Sequence, residues 1–206
     1  MNRIEAIYSL IDIHDKVVDV GCDQAKLSLM LEKRGQSSIA SDISEKVIEK
    51  AKNDIKSNLI DLRVSDGLDN IKEGEADTLV LSGMGTHTII DILYKTKLRF
   101  NKIITISNNY HDILRTKMND LNYKVKCEQI IKENNKYYNL IVFENGNANY
   151  NETEIYLGLN HIDKNMYLEY LEYLLEKYKN IKNNSKDKND KIDKMIELIS
   201  CQVKLL

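Results

Sequence analysis

The chain has no proline, no tryptophan and only three cysteines among its 206 residues. An average chain of this length carries roughly ten prolines. The absence is chain-wide, so a proline missing from any one motif carries little weight. Cys22, Cys127 and Cys201 are odd in number, far apart and free of any CxxC pairing. That excludes a disulfide framework and a cysteine zinc site, and it fits a reducing compartment. His14, His87, His111 and His161 are equally scattered, so no metal site is expected. An excess of one charge is missing as well: Lys+Arg number 30 against Asp+Glu 32, for a formal charge of −2. A wholly basic nucleic-acid binder is excluded; a local basic face is not. No run approaches the roughly 18 apolar residues of a membrane span, and no basic-then-apolar leader is visible. The expected location is cytoplasmic, with no membrane partner.

What is present is an apolar share of 42%, enough to bury one sizeable core. Through residue 146, strand-like and helix-like patterns alternate. Lys16–Val20, Ser38–Asp42, Asp61–Ser65, Ala76–Ser82 and Lys102–Ser107 read as strands. Between and after them, Gln24–Lys33, Glu45–Lys56 capped by Ser44, Gly85–Leu93 and His111–Leu121 read as helices. Tyr123–Ile131 and Tyr137–Phe143 are two more strands, joined by a polar ENNK turn. Alternation of this kind indicates βαβ units and a parallel sheet, and a short turn makes the last pair antiparallel. The expected fold class is α/β, similar to the Rossmann-like class I methyltransferases, with an antiparallel terminal strand.

Composition changes after Gly146. Asn147–Asn151 is polar, and beyond it Tyr167, Leu171, Leu174, Tyr178 and Ile181 follow a heptad-like rhythm. Ile192, Ile196, Ile199, Val203 and Leu206 repeat it across the polar stretch Lys182–Asn189. This predicts a C-terminal antiparallel helical hairpin projecting from the sheet. The expected division is residues 1–146 and 147–206. Glu176–Lys194 holds seven lysines against four acids, which reads as a solvated helix end or an RNA-facing patch.

The most informative stretch is Val17–Leu27, VVDVGCDQAKL. Gly21 ends the first strand and permits a tight turn and close approach of a ligand. Asp19 and Asp23 would repel a pyrophosphate at this position. A ligand without phosphate, bearing an amine and a sulfonium, fits better, which points to S-adenosylmethionine. Asp23 alone also reads as a helix cap. Asp42, with Ile43 beside it, lies 21 residues after Gly21 at the end of the second strand, where an acid accepts ribose hydroxyls. Asp66-Gly67 follows the third strand and is placed for an adenine amino group or for a simple turn. Ser82-Gly83-Met84-Gly85-Thr86 follows the fourth strand, and its glycines permit close approach of cofactor or substrate base.

Taken together, DVGCDQAKL (Asp19–Leu27), SDGLDNI (Ser65–Ile71), SGMGTHTIIDIL (Ser82–Leu93), Leu114-Arg115 and ENNKYYNLIVFE (Glu133–Glu144) resemble the bacterial tRNA adenine-22 N1-methyltransferase family, TrmK. The resemblance covers most of the chain, helical appendage included. It implies an S-adenosylmethionine cofactor and a tRNA substrate. Three positions depart from it. Gln24 stands where the family has His, Thr86 closes its Gly-Met-Gly-Gly block, and Ile106-Ser107-Asn108 stands for its Gln-Pro-Asn. Asp23 and Asn108 are the catalytic candidates, as acceptors that orient the adenine amino group, with the Ser82-Gly83 backbone beside them. Tyr110 is read as packing at a helix start rather than stacking on the base. His87 is read as a surface or core histidine rather than an acid or base. Two other functions fit the same residues: methylation of a small molecule or protein, and non-catalytic RNA binding on a vestigial cofactor fold.

Overall fold

A computed structural model describes residues 1–185 and 189–206. In chain order its elements are α1 (Arg3–Ser9), β1 (Val17–Val20), α2 (Lys26–Lys33), β2 (Ser38–Asp42), α3 (Glu45–Asp54), β3 (Ile60–Val64) and β4 (Thr78–Met84). They continue with α4 (Thr86–Lys95), β5 (Lys102–Ser107), α5 (His111–Asp120), β6 (Tyr123–Glu133) and β7 (Lys136–Asn145). The last three are α6 (Glu152–Leu157), α7 (Lys164–Asn184) and α8 (Asp190–Leu205).

The strands form one seven-stranded sheet in the order β3-β2-β1-β4-β5-β7-β6. Neighbours from β3 to β5 are parallel, while β7 runs antiparallel to both β5 and β6. The α/β reading therefore holds, as does the antiparallel closing pair. Successive residues explain why the central strands are apolar throughout. Val17 and Val80 face a core shared with Leu27, Leu31, Ala6 and Ile7. Val18, Leu79 and Leu81 face the opposite core, with Ile89, Leu93, Leu114 and Met118. A strand covered on both faces has no polar side to show. The β6–β7 hairpin turns at Asn134 and Asn135, both with positive φ, the geometry of a two-residue turn that matches strand twist.

Several local readings need correction. The helix after β1 begins at Lys26, because Asp23 and Ala25 are both left-handed (φ 46° and 50°), so Asp23 caps nothing. Ser44 sits at the N-cap of α3 without a side-chain cap; its N–H donates to Asp42 Oδ1 at 2.9 Å instead. β4 continues through Gly83 to Met84 by a bulge, so the glycine block ends the strand rather than following it. Two short helices, α1 and α6, are additional. Each opens with an Asn-x-x-Glu capping box, at Asn2–Glu5 and Asn151–Glu154.

The C-terminal helices form the expected antiparallel pair, but its base is seated on the sheet rather than free. Tyr167, Leu171 and Ile199 are buried together with Ile130 of β6 and Leu157 of α6. Toward the tip the seam opens, with Ile181 41% exposed; at the other end the terminal Leu206 is 47% exposed. Of the polar stretch Lys182–Asn189, residues 186–188 lie outside the described residues. Beneath the base, Arg115 of α5 and Glu128 of β6 form a fully buried bidentate pair at 2.8 and 2.6 Å. Arg115 also donates to the Ile155 carbonyl at 2.7 Å, and Glu128 accepts from the Leu159 N–H at 3.1 Å. α6 and the chain after it are thereby tied to the sheet.

Candidate cofactor and substrate site

Strand order reverses between β1 and β4, which leaves a crevice at their carboxyl ends, the usual ligand position of such sheets. A cavity of about 420 Å³ lies there, lined by Asp19, Gly21, Asp23 and Ser82. Asp19 is almost completely buried, and burial, with the Asp42 carboxylate nearby, pushes its carboxyl up to about 7. Burial likewise raises the Cys22 thiol to about 12, with Asp19 and Asp42 adding to it. That thiol stays protonated and is no nucleophile.

Gly21 is favoured by its backbone conformation and sits close to the end of the Met84 side chain. Its φ of +78° is left-handed, and a Cβ would stand 3.1 Å from Met84 Cε. The Asp42 carboxylate joins two turns: Oδ1 accepts from the Ser44 N–H, and Oδ2 from the Asp23 N–H at 3.3 Å. Asp23 itself is exposed at the cavity wall. Ile43, beside Asp42, is 67% exposed and offers an apolar surface.

The β4 and β5 ends meet beside this cavity. Asn108 donates its backbone N–H to the Met84 carbonyl at 3.1 Å and its side-chain Nδ2 to the Gly83 carbonyl at 3.4 Å. Asn108 is exposed, and these two bonds leave its amide oxygen able to accept. Thr86, one of the departures from the family pattern, holds the same loop: its hydroxyl donates to the Asn109 carbonyl. Tyr110 is left-handed at the N-cap of α5 and 54% exposed. Its ring lies 5.7 Å from that of His87, which is also at the surface.

The structure thus brings Asp19, Gly21, Asp23 and Ser82 to one cavity and ties Asp42 to it through Asp23. Asp66 and Gly67 line a second cavity of about 260 Å³, with Ile92 and Lys95. Gly67 (φ +55°) has Ile92 side-chain carbons 3.1 Å from where a Cβ would be. Ile43, Gly83 and Asn108 line neither. Residues from α1 were missed: Arg3, Ile4 and Ile7 wall the cavity at the β1 turn. Arg3 donates to Glu133 Oε2 at 2.6 Å and lies 4.3 Å over the Tyr138 ring, which fixes α1 against the hairpin strands. The Asn2–Glu5 capping box is the sequence signal that marks this helix.

Among the described residues, no group of three or more His, Cys, Asp or Glu is placed to hold a metal ion. No described helix is long and apolar enough to cross a membrane.

Residues 1–141 match a family model described as "Methyltransferase domain". A tRNA (adenine(22)-N(1))-methyltransferase of Bacillus subtilis (strain 168) is 31% identical over 153 residues, which cover 70% of this chain and 64% of that protein. The chain thus spans somewhat under two thirds of that curated relative. Among solved structures, Sp1610 of Streptococcus pneumoniae superposes with a TM-score of 0.90 at 23% identity, covering 98% of this chain and 99% of the other. The M. capricolum TrmK complex with S-adenosyl-homocysteine has a TM-score of 0.85 at 26% identity, covering 100% of this chain and 98% of the other.

Proposed function

The chain belongs to the methyltransferase-domain family, and from that premise we propose that it transfers a methyl group from S-adenosylmethionine to N1 of an adenine in tRNA, adenosine 22. The observation that carries this reading is the full-length match to the TrmK complex, helical hairpin included. A likeness confined to the sheet would support only a methyltransferase of some substrate. The same reading makes the protein cytoplasmic, with residues 1–146 as the catalytic unit and 147–206 as the unit that holds tRNA.

The residues fit the cofactor. Two acids, Asp19 and Asp23, line the cavity at the β1 turn where a dinucleotide would place its pyrophosphate. They suit a ligand with a cationic amine and sulfonium instead. Asp19, Gly21, Asp23 and Ser82 would hold the amino-acid side, Asp42 and Ile43 the ribose, and Asp66 and Gly67 the adenine. When bound, S-adenosylmethionine supplies a methyl group activated by a positive sulfur. Adenine N1 is neutral and has an in-plane lone pair. That pair forms the new N–C bond as the C–S bond breaks, and its electrons pass to sulfur. No strong base is needed. The chain contributes alignment, which can supply roughly 7–11 kcal/mol in well-oriented reactions. Asp23, Asn108 and the Ser82-Gly83 backbone receive the base edge, which must leave its pair to expose N1.

The test is methylation of bulk tRNA with the purified protein, mapped by reverse-transcription stops. A stop at adenosine 22 is the expected result. Methyl transfer elsewhere, or none, would remove the reading.

The buried Asp19 carboxyl gives a pH dependence of definite sign. Its folded value of about 7 lies above the ordinary 3.8. Between those values the folded chain keeps a proton that the unfolded chain has lost. The Asp19 contribution to stability therefore declines as pH rises through that window and is level above it. A cationic ligand needs the ionised form. Below neutrality its binding releases a proton, and affinity falls by up to about tenfold per pH unit. Calorimetry with S-adenosylmethionine at about pH 6, in buffers of different ionisation heat, should show that release. It should be lost at about pH 8 and in Asp19→Asn.

A further inference from the structure

Where α5 faces the helical hairpin there is a groove of about 440 Å³, distinct from the cofactor cavity. Tyr110, Tyr156, Tyr170 and Tyr178 line it. Tyr110 and Tyr156 are open to solvent, at 54% and 42% exposure. Tyr170 is held in place: its hydroxyl accepts from Asn139 Nδ2 at 3.3 Å, and the same amide reaches His111 Nδ1 at 2.9 Å. His111 in turn contacts the Ser107 carbonyl at 3.2 Å, at the start of the loop that carries Asn108. Lys191, Lys194 and Asp112 also line the groove. Lys194 is paired with Glu152, whereas Lys191 has no ion pair among the described residues.

We propose that this groove holds one unpaired nucleotide of the RNA substrate, next to the target adenosine, with its base among the tyrosine rings and its phosphate at Lys191. The inference rests on the tRNA methyltransferase reading and adds a second contact to it. Three features favour a nucleotide. Tyrosine faces accept any base by stacking, which is tolerant of sequence. A free ammonium at the edge of an aromatic groove suits a phosphate, and the Asp112 carboxylate suits an amino group on a base edge. An apolar ligand would leave both charges unanswered. Position supplies the third feature. Tyr110 lines the groove and is two residues from Asn108 in the β5–α5 loop, so the groove begins beside the proposed base site. Drawing N1 out of a pair unstacks its neighbours, which makes an unpaired nucleotide available there.

The absence of tryptophan from the chain provides the experiment. Tyr156→Trp places a single tryptophan in the groove. Tyr94→Trp places one on α4, at a position 52% exposed and outside the groove. The probe is an unmodified tRNA transcript, with binding followed in parallel by gel shift and methylation by tritium transfer. Saturating transcript should quench the Tyr156→Trp emission about twofold or more, as stacking on a base does. Tyr94→Trp emission should change little, and S-adenosylmethionine alone should quench neither. In addition, Tyr156→Ala and Lys191→Gln should each raise the half-saturating tRNA concentration, Tyr156→Ala by about tenfold. Their affinity for S-adenosylmethionine should not change. If the transcript is bound and methylated but Tyr156→Trp is unquenched, or quenched no more than Tyr94→Trp, the groove is not a nucleotide site and the parent function stands. If the transcript is neither bound nor methylated, the parent reading fails and the groove falls with it.

Discussion

Asp23→Ala is expected to lower methyl transfer to tRNA by about 10²–10³-fold, the scale found when a preorganised electrostatic contact to developing charge is removed. Methylation at N1 turns a neutral adenine into a cation, so a carboxylate beside the base edge is favoured more in the transition state than before it. Asp23 is free for this task. Its side chain caps no helix, and its backbone, not its carboxylate, makes the bond to Asp42. The alanine variant carries a strain of its own. Asp23 is left-handed, and replacing it by alanine there costs about 1 kcal/mol. Asp23→Asn avoids that strain, because asparagine tolerates the conformation and keeps an acceptor while losing the charge. Its turnover should fall between wild type and alanine, with thermal midpoint unchanged. Asn108→Ala should also lower turnover with little effect on cofactor affinity, since its contacts run to the Gly83 and Met84 carbonyls rather than into the cofactor cavity. Single-turnover rates with calorimetric cofactor affinities separate these effects. An Asp23→Ala rate near wild type would remove the residue from the chemistry.

The parts of the fold legible in the sequence are those that repeat. β2 and β5 lie where their apolar runs place them, and β1, β3 and β6 differ by one or two residues. The long helices follow their spacing of three and four. The short helices have no such period. Six or seven residues give barely two turns, so α1 and α6 are visible only through the Asn-x-x-Glu boxes that open them. That difference matters at the site, because α1 walls the cofactor cavity. Left-handed backbone was also hidden. Asp23 and Ala25 look like the start of a helix by composition, but the turn out of β1 uses both at positive φ before Lys26 begins one. Asp19 was legible as an acid near the ligand. Its displaced titration was not, because that depends on burial and on Asp42, which comes from another strand. The seating of the hairpin was hidden for the same reason: Ile130 and Tyr167 are far apart in sequence and meet only in three dimensions.

Arg115→Met is expected to destabilise the protein by about 3–5 kcal/mol, the usual result of removing one partner from a buried ion pair. Glu128 would then keep a charge with 0% exposure, and only the Leu159 N–H would be left to its Oε1. The Ile155 carbonyl would lose its donor as well. Relaxation cannot easily bring in water, because the backbone closes over the pair. Gly158 has a φ of +88°, and a Cβ there would lie 2.6 Å from Glu128 Oε2 and 2.8 Å from an Arg115 guanidinium nitrogen. Only glycine permits this approach, so Gly158→Ala should be strongly destabilising too. The double variant Arg115→Met with Glu128→Met distinguishes a lost attraction from a stranded charge. It should be more stable than Arg115→Met alone, since well-packed apolar pairs can replace buried ion pairs at little net cost. Urea unfolding measures all four proteins. A cost for Arg115→Met below about 1 kcal/mol would mean that Glu128 is not left as a stranded buried charge when its partner is gone. The pair also bears on how the hairpin should be tested. Deleting residues 151–206 would remove the Ile155 and Leu159 contacts and expose Ile130 along with the charges. Loss of tRNA binding in such a truncation would therefore follow from a damaged β6 as readily as from a missing RNA surface. Point changes in the groove, which leave Arg115 and Glu128 paired, avoid that ambiguity.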